Sequence, residues 1–457
     1  MNNLLKDAAA RALRYVEGAG SRRVVPQPEA VARLTELGGA FPDEPCDPAE
    51  VLARLDDIGS PATVASTGGR YFGFVTGGTL PVALAANWLA GAWDQNAAMR
   101  VMSPVSAALE EIALEWLRDA LSLPPSCGAG YVTGATMANF TCLAAARHAL
   151  LARAGWNSEE NGLFGAPPLT VVVGDEVHVS LLKALSLLGL GRSRVLRVPT
   201  DDQGRMKAAA LPAVDERTIV CIQAGNVNTG AFDPAEEICS RVRPSGAWVH
   251  VDGAFGLWAA AAPERAHLTT GVSSADSWAT DCHKWLNVPY DSGLALVREP
   301  EHLRSAMTVS AAYLQASDSR EPWHYTPEAS RRARAIEIWA ALRCLGRRGL
   351  ADLVERTCRL ATRFSDRLRG AGYSILNEVV LNQVLVSFGD AAATRHVLAE
   401  LQKEGTCWCG GTEWHGQAAM RISVSSWATT EKDIDRSAAA VLRIAKECGC
   451  APVPRRT

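Results

Sequence analysis

The densest group of chemically capable side chains lies in DSWATDCHKWLNVP, where Ser277, Asp281, His283 and Lys284 follow directly on an apolar stretch. In parallel sheets ligands gather where strands end, so a lysine at such a place is set to meet one. Alone, it would be read as a solvated edge charge. WVHVDGAFG, however, closes an earlier apolar stretch with Asp252, an acid that by itself would be a turn former or helix cap. Together the two make a specific pair: an amine that can condense with an aldehyde, and a carboxylate that keeps a pyridine nitrogen protonated. Pyridoxal phosphate requires both, because its protonated ring draws in the electrons of a carbanion at the substrate's α-carbon.

Two further groups fit the same cofactor. GAGYVTGATMANF places Gly134, Ala135 and Thr136 where a helix begins, so free backbone amides and the helix dipole are available to a phosphate. The spacing is not GxGxxG, which argues against a dinucleotide site. GDEVHVSLL places His178 just past another strand candidate, where an imidazole can stack on a flat ring, although a lone histidine is more often a core or capping residue.

These groups need a sheet that brings its strand ends to one edge. Apolar strand candidates recur at Gly130–Thr133, Leu169–Val173, Val195–Val198, Thr218–Gln223, Trp248–Val251, Ser277–Thr280 and Gly293–Val297, with helical patterns at Val105–Leu121 and Asn139–Ala154. Near-continuous apolar strands alternating with helices predict an α/β domain, its mostly parallel sheet covered on both faces. Helical spacing at residues 4–16 and 30–37 predicts an N-terminal arm over 1–60, and the large domain is expected over 61–309. Helical stretches at Ala333–Leu345 and Leu350–Leu368, then a strand pair at Val384–Phe388 and Met420–Val424, predict a smaller α+β domain over 310–457. Within it, 315–331 is polar, holds Pro322 and Pro327, and reads as a mobile surface loop. Glu110 and Glu111 read as a solvated helix face.

Composition bounds the rest. The chain has 457 residues, of which 48% are hydrophobic and 21% charged, and carries a net charge of −3, which suits a soluble globular protein and gives no electrostatic footprint for nucleic acid. The most apolar stretch, Leu80–Trp93, is interrupted by Asn87 and falls short of the roughly 20 residues that cross a bilayer. No secretory signal is read at the start, so a cytoplasmic location without membrane attachment is expected. The twelve scattered cysteines suit reduced thiols, and the CxC pairs at Cys407/Cys409 and Cys448/Cys450 lack zinc-ligand spacing, so no metal is expected.

The combination VTGAT, DEVHVS, HVDGAFG and DCHKW resembles the group II pyridoxal-phosphate decarboxylases, the fold-type I family of aromatic amino acid, glutamate and related decarboxylases. The resemblance runs from RYFGFVTGGTLPVALAANWLAGAWDQN to RISVSSWATTEKDIDRS. It implies Lys284 as the Schiff-base lysine, His283 at the cofactor phosphate, Asp252 at the pyridine nitrogen, Ala254 under the ring and His178 stacked above it. It further implies Ala135 and Thr136 as the phosphate turn, with Asn228 and Asp281 at positions where these enzymes often carry threonine and asparagine. Tyr71 and Phe72 are expected to line the substrate pocket and Arg421 to meet the substrate carboxylate. A homodimer with active sites at the subunit interface is also implied.

The activity so implied is that of a lyase: an L-amino acid bound through Lys284 loses carbon dioxide, passes through a quinonoid intermediate and leaves as an amine. Family members protonate that intermediate with a loop tyrosine, and proton delivery decides the product. Here the loop ASDSREPWHYTPEASRRAR is shorter, and Tyr325 is its only tyrosine. Its offset from Arg331 departs from the family pattern, so His324 and Tyr313 stand beside it as candidates. The same lysine and cofactor also suit aminotransfer, retro-aldol cleavage or decarboxylation coupled to oxidative deamination. A non-catalytic protein that keeps the fold is the reading from a different class.

Overall fold

The computed structural model describes residues 1–309 and 319–450. They form two compact units, one of Thr79–Arg359 with Asn377–Gln383, the other of Met1–Gly78, Leu360–Leu376 and the chain from Val384 onward. This grouping differs from the sequence-based boundaries near 60 and 309 because the packing is discontinuous. Residues 70–72 exchange backbone hydrogen bonds with Trp408 and accept another from Ser423, which ties that part of the N-terminal chain to the C-terminal sheet.

The first unit is built on seven strands: β1 (Gly128–Val132), β2 (Thr170–Gly174), β3 (Leu196–Val198), β4 (Thr218–Gln223), β5 (Trp248–Asp252), β6 (Ser277–Asp281) and β7 (Gly293–Val297). Their order across the sheet is β1-β7-β6-β5-β4-β2-β3. Strands β3, β2, β4, β5 and β6 run parallel, while β7 runs against both β6 and β1. The mostly parallel sheet expected from the sequence is therefore present, with one reversed strand. Runs such as TIVCIQ and WVHVD are buried throughout, as strands covered on both faces must be.

The helix Ala135–Arg153 is apolar on nearly every side, and alanines at 138, 144, 145, 146 and 149 let it lie close against the sheet. Cys142 Sγ on that helix reaches the carbonyls of Trp278 (3.4 Å) and Leu296 (3.5 Å). The long run Ala335–Gly370 contains both expected helices, with Gly346 between them at φ +57°.

The second unit carries a four-stranded sheet. Its strands are β8 (Ser374–Ile375), β9 (Gln383–Ser387), β10 (Gly410–Trp414) and β11 (Gln417–Ser423), in the order β10-β11-β9-β8, so the expected strand pair is the central one. Helices Ala391–Glu404 and Glu431–Glu447 belong to the same unit, the latter begun by a capping box between Thr430 and Asp433. No helix among the described residues is long and apolar enough to cross a membrane.

Glu110 is a correction to the sequence reading. It is fully buried, paired with Arg320 Nη1 at 3.0 Å and with Arg331. Its helix, Pro104–Ala120, turns this side toward the sheet, where Tyr131 Oη donates to the Glu110 carbonyl at 2.7 Å. The consequence falls on the segment read as a mobile loop. Arg320 and Arg331 lie near the start and at the end of its described part, and Arg320 also donates to the Ala129 carbonyl at 2.6 Å. Residues 319–331 are thus fastened to the sheet edge by buried charge, whereas 315–318, like Tyr313, lie outside the described residues.

Candidate active site

The parallel strands bring their carboxyl ends to one edge. Asp252 ends β5, and Asp281 ends β6 three residues before Lys284. Strand β1 ends at the same edge, since it opposes β7 and β7 opposes β6, and the turn after it starts the helix Ala135–Arg153. His178 caps the short helix after β2 and accepts from Ser180 N at 3.3 Å.

One cavity is lined by Lys284, Asp252, His178, Ala254, Gln223 and Phe255. It unites four of the residues singled out in the sequence. Lys284 Nζ lies 2.9 Å from Asp281 Oδ2. Burial works against the ammonium, but Asp281, with Asp252 and Tyr290 further off, outweighs it and holds the lysine above its usual pKa.

The other oxygen of Asp281 faces the helix. Ala135 N donates to Oδ1 at 2.5 Å, and His283 Nε2 stands 3.4 Å from the same atom. His283 Nδ1 accepts from Ser292 N at 3.0 Å, so the neutral ring carries its proton on Nε2 and presents a donor. Burial pulls the His283 pKa down despite Asp281, which favours that neutral form. Tyr290 stacks on the His283 ring at 4.2 Å.

The backbone closes tightly here. A side chain at Gly293 would place its Cβ 2.5 Å from the Gly134 Cα, so only glycine lets β7 and the helix-starting turn approach this closely. The helix has no side-chain cap at Gly134, and its first-turn amides are the groups that an anion satisfies.

Asp252 is held on both oxygens. Ala254 N donates to Oδ1 at 3.3 Å, and Asn139 Nδ2 donates to Oδ2 at 3.1 Å. Asn228 sits in the loop after β4, where its backbone N donates to Asn226 Oδ1 at 2.8 Å. In that loop Asn226 Nδ2 is buried with no partner among the described residues.

These residues fit pyridoxal phosphate. A primary amine, a carboxylate on the neighbouring strand end, a flanking imidazole and an uncapped helix start with a histidine donor match the cofactor's aldehyde, ring nitrogen, ring face and phosphate. The one dissonant group is Asp281, a carboxylate where the phosphate would approach.

The Tyr325 ring is under the Arg320 guanidinium at 4.4 Å, and its carbonyl presses on Gly130 in β1. It packs with Met307 against the core under the sheet, and no contact described for it involves Lys284, Asp252 or His178. His324 stacks on Trp323 in the same turn. Tyr71, Phe72 and Arg421 belong to the second unit. There Phe72 is buried edge-on against Phe364 at 5.4 Å, and Tyr71 stacks on Trp408 at 5.1 Å. The outward ring of YFGF is Phe74, 61% exposed. Arg421 stands on β11 opposite Gly410.

Asn139, His250, Gln223 and Tyr290 were not singled out in the sequence. The signal for Asn139 was its place one helical turn past the phosphate turn, and for His250 its place two residues before Asp252, on the same face of β5.

Fold and site together define a fold-type I pyridoxal-phosphate enzyme. The comparisons agree: a family model described as the pyridoxal-dependent decarboxylase conserved domain matches residues 31–389. The chain belongs to that family and is a pyridoxal-phosphate-dependent amino-acid decarboxylase by class. It is 26% identical over 424 residues to an aromatic-L-amino-acid decarboxylase of Bacillus atrophaeus, covering 88% of this chain and 85% of that one. It is 31% identical over 290 residues to a phenylacetaldehyde synthase of a Rosa hybrid cultivar, covering 59% and 56%. Its fold matches a crystal structure of Oryza sativa TDC with PLP and tryptamine at a TM-score of 0.89, with 22% identity and coverage of 98% and 97%.

Proposed function

We propose that this enzyme converts an L-amino acid into carbon dioxide and the corresponding amine, with Lys284 as the residue that holds the cofactor. The observation that carries the reading is the single cavity shared by Lys284, Asp252, Ala254 and His178. Bound pyridoxal phosphate supplies the electron sink for the bond that breaks at the α-carbon.

The protein's part is to bind and orient. Asp252 would serve the ring nitrogen and favour its protonated form, Ala254 would leave room under the ring, and His178 would cover the other face. Ala135, Thr136 and His283 would hold the phosphate, and Asn228 would stand beside the ring. Lys284 is also the group that would give or take a proton at the reacting carbon. Tyr71, with Phe74 beside the same Trp408 ring, is a wall for the side chain, Phe72 supports it from within, and Arg421 is the partner for the substrate carboxylate. Burial draws that guanidinium below its usual pKa, which a carboxylate would offset.

The relatives described above act, by name, on aromatic amino acids or make aromatic products, so tryptophan, tyrosine and phenylalanine are the first substrates to offer. A homodimer is part of the proposal. The helix Pro81–Trp93 carries no charged residue and buries only Ala83, leaving Trp88, Leu89 and Trp93 on the surface, an apolar face that suits a second copy. Sedimentation should give twice the 48.7 kDa chain mass.

A second reading has specific support. The 31% identity to a phenylacetaldehyde synthase and the packing of Tyr325 against the sheet edge both favour an aldehyde product, for which dioxygen and water are consumed and carbon dioxide, ammonia and hydrogen peroxide released. Product mass spectrometry separates the two, since an amine one carbon dioxide lighter than its parent supports the first reading and the aldehyde the second. Borohydride reduction of the loaded protein should fix the cofactor on the Lys284 peptide, and Lys284→Ala should abolish both labelling and turnover. Label on another lysine would overturn the assignment.

A further inference from the structure

A buried polar chain stands behind Asp252, and binding and orienting the cofactor leave it without a task. Trp248 and His250 lie on β5, Ser277 faces His250 across β6, and Asn139 is on the helix above. Trp248 Nε1 can only donate, and it donates to Ser277 Oγ at 2.9 Å. Ser277 Oγ is 2.9 Å from His250 Nδ1, and His250 Nε2 is 2.8 Å from Asn139 Oδ1. Asn139 Nδ2 completes the chain on Asp252 Oδ2 at 3.1 Å. All five residues are buried, with Ser277, His250 and Asn139 fully enclosed.

The two ends set the direction. With an obligate donor at Trp248 and an acceptor at Asp252, every link runs one way: the Ser277 hydroxyl gives to Nδ1, the imidazole proton sits on Nε2, and the Asn139 amide turns its NH2 to the carboxylate. Burial pushes the His250 pKa down to about 3, so the ring holds a single proton across the working range. The reverse chain needs a protonated Asp252, and it would aim the donors of both Trp248 and His250 at Ser277. The hydroxyl can accept both, but its own buried proton is then left without an acceptor among the bonds described for Ser277, and that cost favours the forward chain and with it the ionised Asp252.

We propose that Asn139, His250 and Ser277 are positioning residues for Asp252, a one-way hydrogen-bond chain that keeps its carboxylate ionised and fixed in orientation toward the cofactor's ring nitrogen. The proposal rests on the assignment of Asp252 to that nitrogen made above.

The test uses the full-length, cofactor-loaded protein and reads the absorbance of bound pyridoxal phosphate against pH, its dissociation constant, and kcat and KM separately. His250→Phe removes the chain while keeping an aromatic ring. It should weaken cofactor binding and lower kcat by about tenfold each, the effect of one lost charge-assisted hydrogen bond, move the absorbance titration, and leave KM near wild type. His250→Gln, whose amide can give to Asn139 and accept from Ser277, should restore the wild-type titration. Should His250→Phe not fold, Ser277→Ala deletes one hydroxyl and carries the same test.

An unchanged titration and affinity in the broken-chain variant, or equal damage in His250→Gln, overturns the proposal. Asp252→Asn tells the two assignments apart. If it is impaired while the broken-chain variant is not, the chain alone is refuted; if Asp252→Asn itself behaves as wild type, the ring-nitrogen assignment fails and the chain's role fails with it.

Discussion

Asp281 is the residue whose replacement separates two effects that the geometry places in opposition. Its Oδ2 holds the Lys284 ammonium at 2.9 Å while its Oδ1 accepts from Ala135 N at 2.5 Å. A lysine must be neutral to capture an aldehyde, and this carboxylate keeps it charged. Asparagine at 281 preserves the shape and an oxygen for Ala135 but removes the charge, leaving burial, which favours the neutral amine, as the dominant influence on Lys284. A hydrogen bond to a charged partner is worth about 1.5–3 kcal/mol. Its loss therefore raises the neutral fraction at a fixed pH below the lysine pKa, and with it the capture rate, by roughly ten- to a hundredfold. Removing the carboxylate also removes a like charge from the path of the phosphate. Stopped-flow absorbance of the apoprotein mixed with pyridoxal phosphate measures the sum, and the same experiment with pyridoxal, which has no phosphate, isolates the lysine's share. Both rates should rise in Asp281→Asn, with the larger gain for the phosphorylated aldehyde. A pyridoxal capture rate equal to or below wild type would refute the claim that Asp281 restrains the lysine.

Three other outcomes are expected. Glu110→Gln leaves the Arg320 and Arg331 guanidiniums without their buried counter-charge, so urea denaturation should show a loss of about 3–5 kcal/mol and trypsin should cut sooner at Arg320; a loss below about 1 kcal/mol would mark the cluster as solvated. His250 takes a proton near its usual 6.5 when unfolded but only at about 3 when folded. The unfolded state therefore binds more protons between those values, and stability should fall as pH drops through 6.5 toward 3, by up to about 1.4 kcal/mol per pH unit from this residue. His250→Gln should flatten that dependence in denaturation series at successive pH values. Tyr325→Phe should leave the amine-to-aldehyde ratio unchanged, because its ring is engaged by Arg320 and the core beside Met307; a shifted ratio in the product assay would return Tyr325 to the chemistry.

The large sheet and the lysine site were legible because both depend on local runs. Buried strands such as TIVCIQ announce themselves by continuous apolarity, and Asp252 and Lys284 stand where such runs stop. The four-stranded sheet was half legible, since GGTEW in β10 is polar and half exposed and resembles a loop until β11 supplies its partner. Glu110 was misread because a carboxylate on an amphipathic helix is ordinarily solvated, and its two arginines lie more than 200 residues away in sequence. The same remoteness hid the His250–Asn139 contact: a hydrogen bond across 111 residues leaves no periodic trace. Phe72 and Phe74 share a face in any extended reading, but the positive φ values at Phe74 and Val75 break the alternation and turn Phe74 outward.

The contact between Gly293 and Gly134 bears on how such an enzyme can change. Where two main chains touch, the distance between the helix that would face the phosphate and the strand following the lysine is written in backbone, and no side-chain replacement around the cavity can spread them. Substitutions at the cavity mouth can therefore alter which amino acid is admitted while the reactive nitrogen and the anion seat keep their spacing. Position 293 is different: any residue with a β-carbon there would pry the seat apart, so tolerance to mutation should be higher around the rim than at this hinge-pin of the frame.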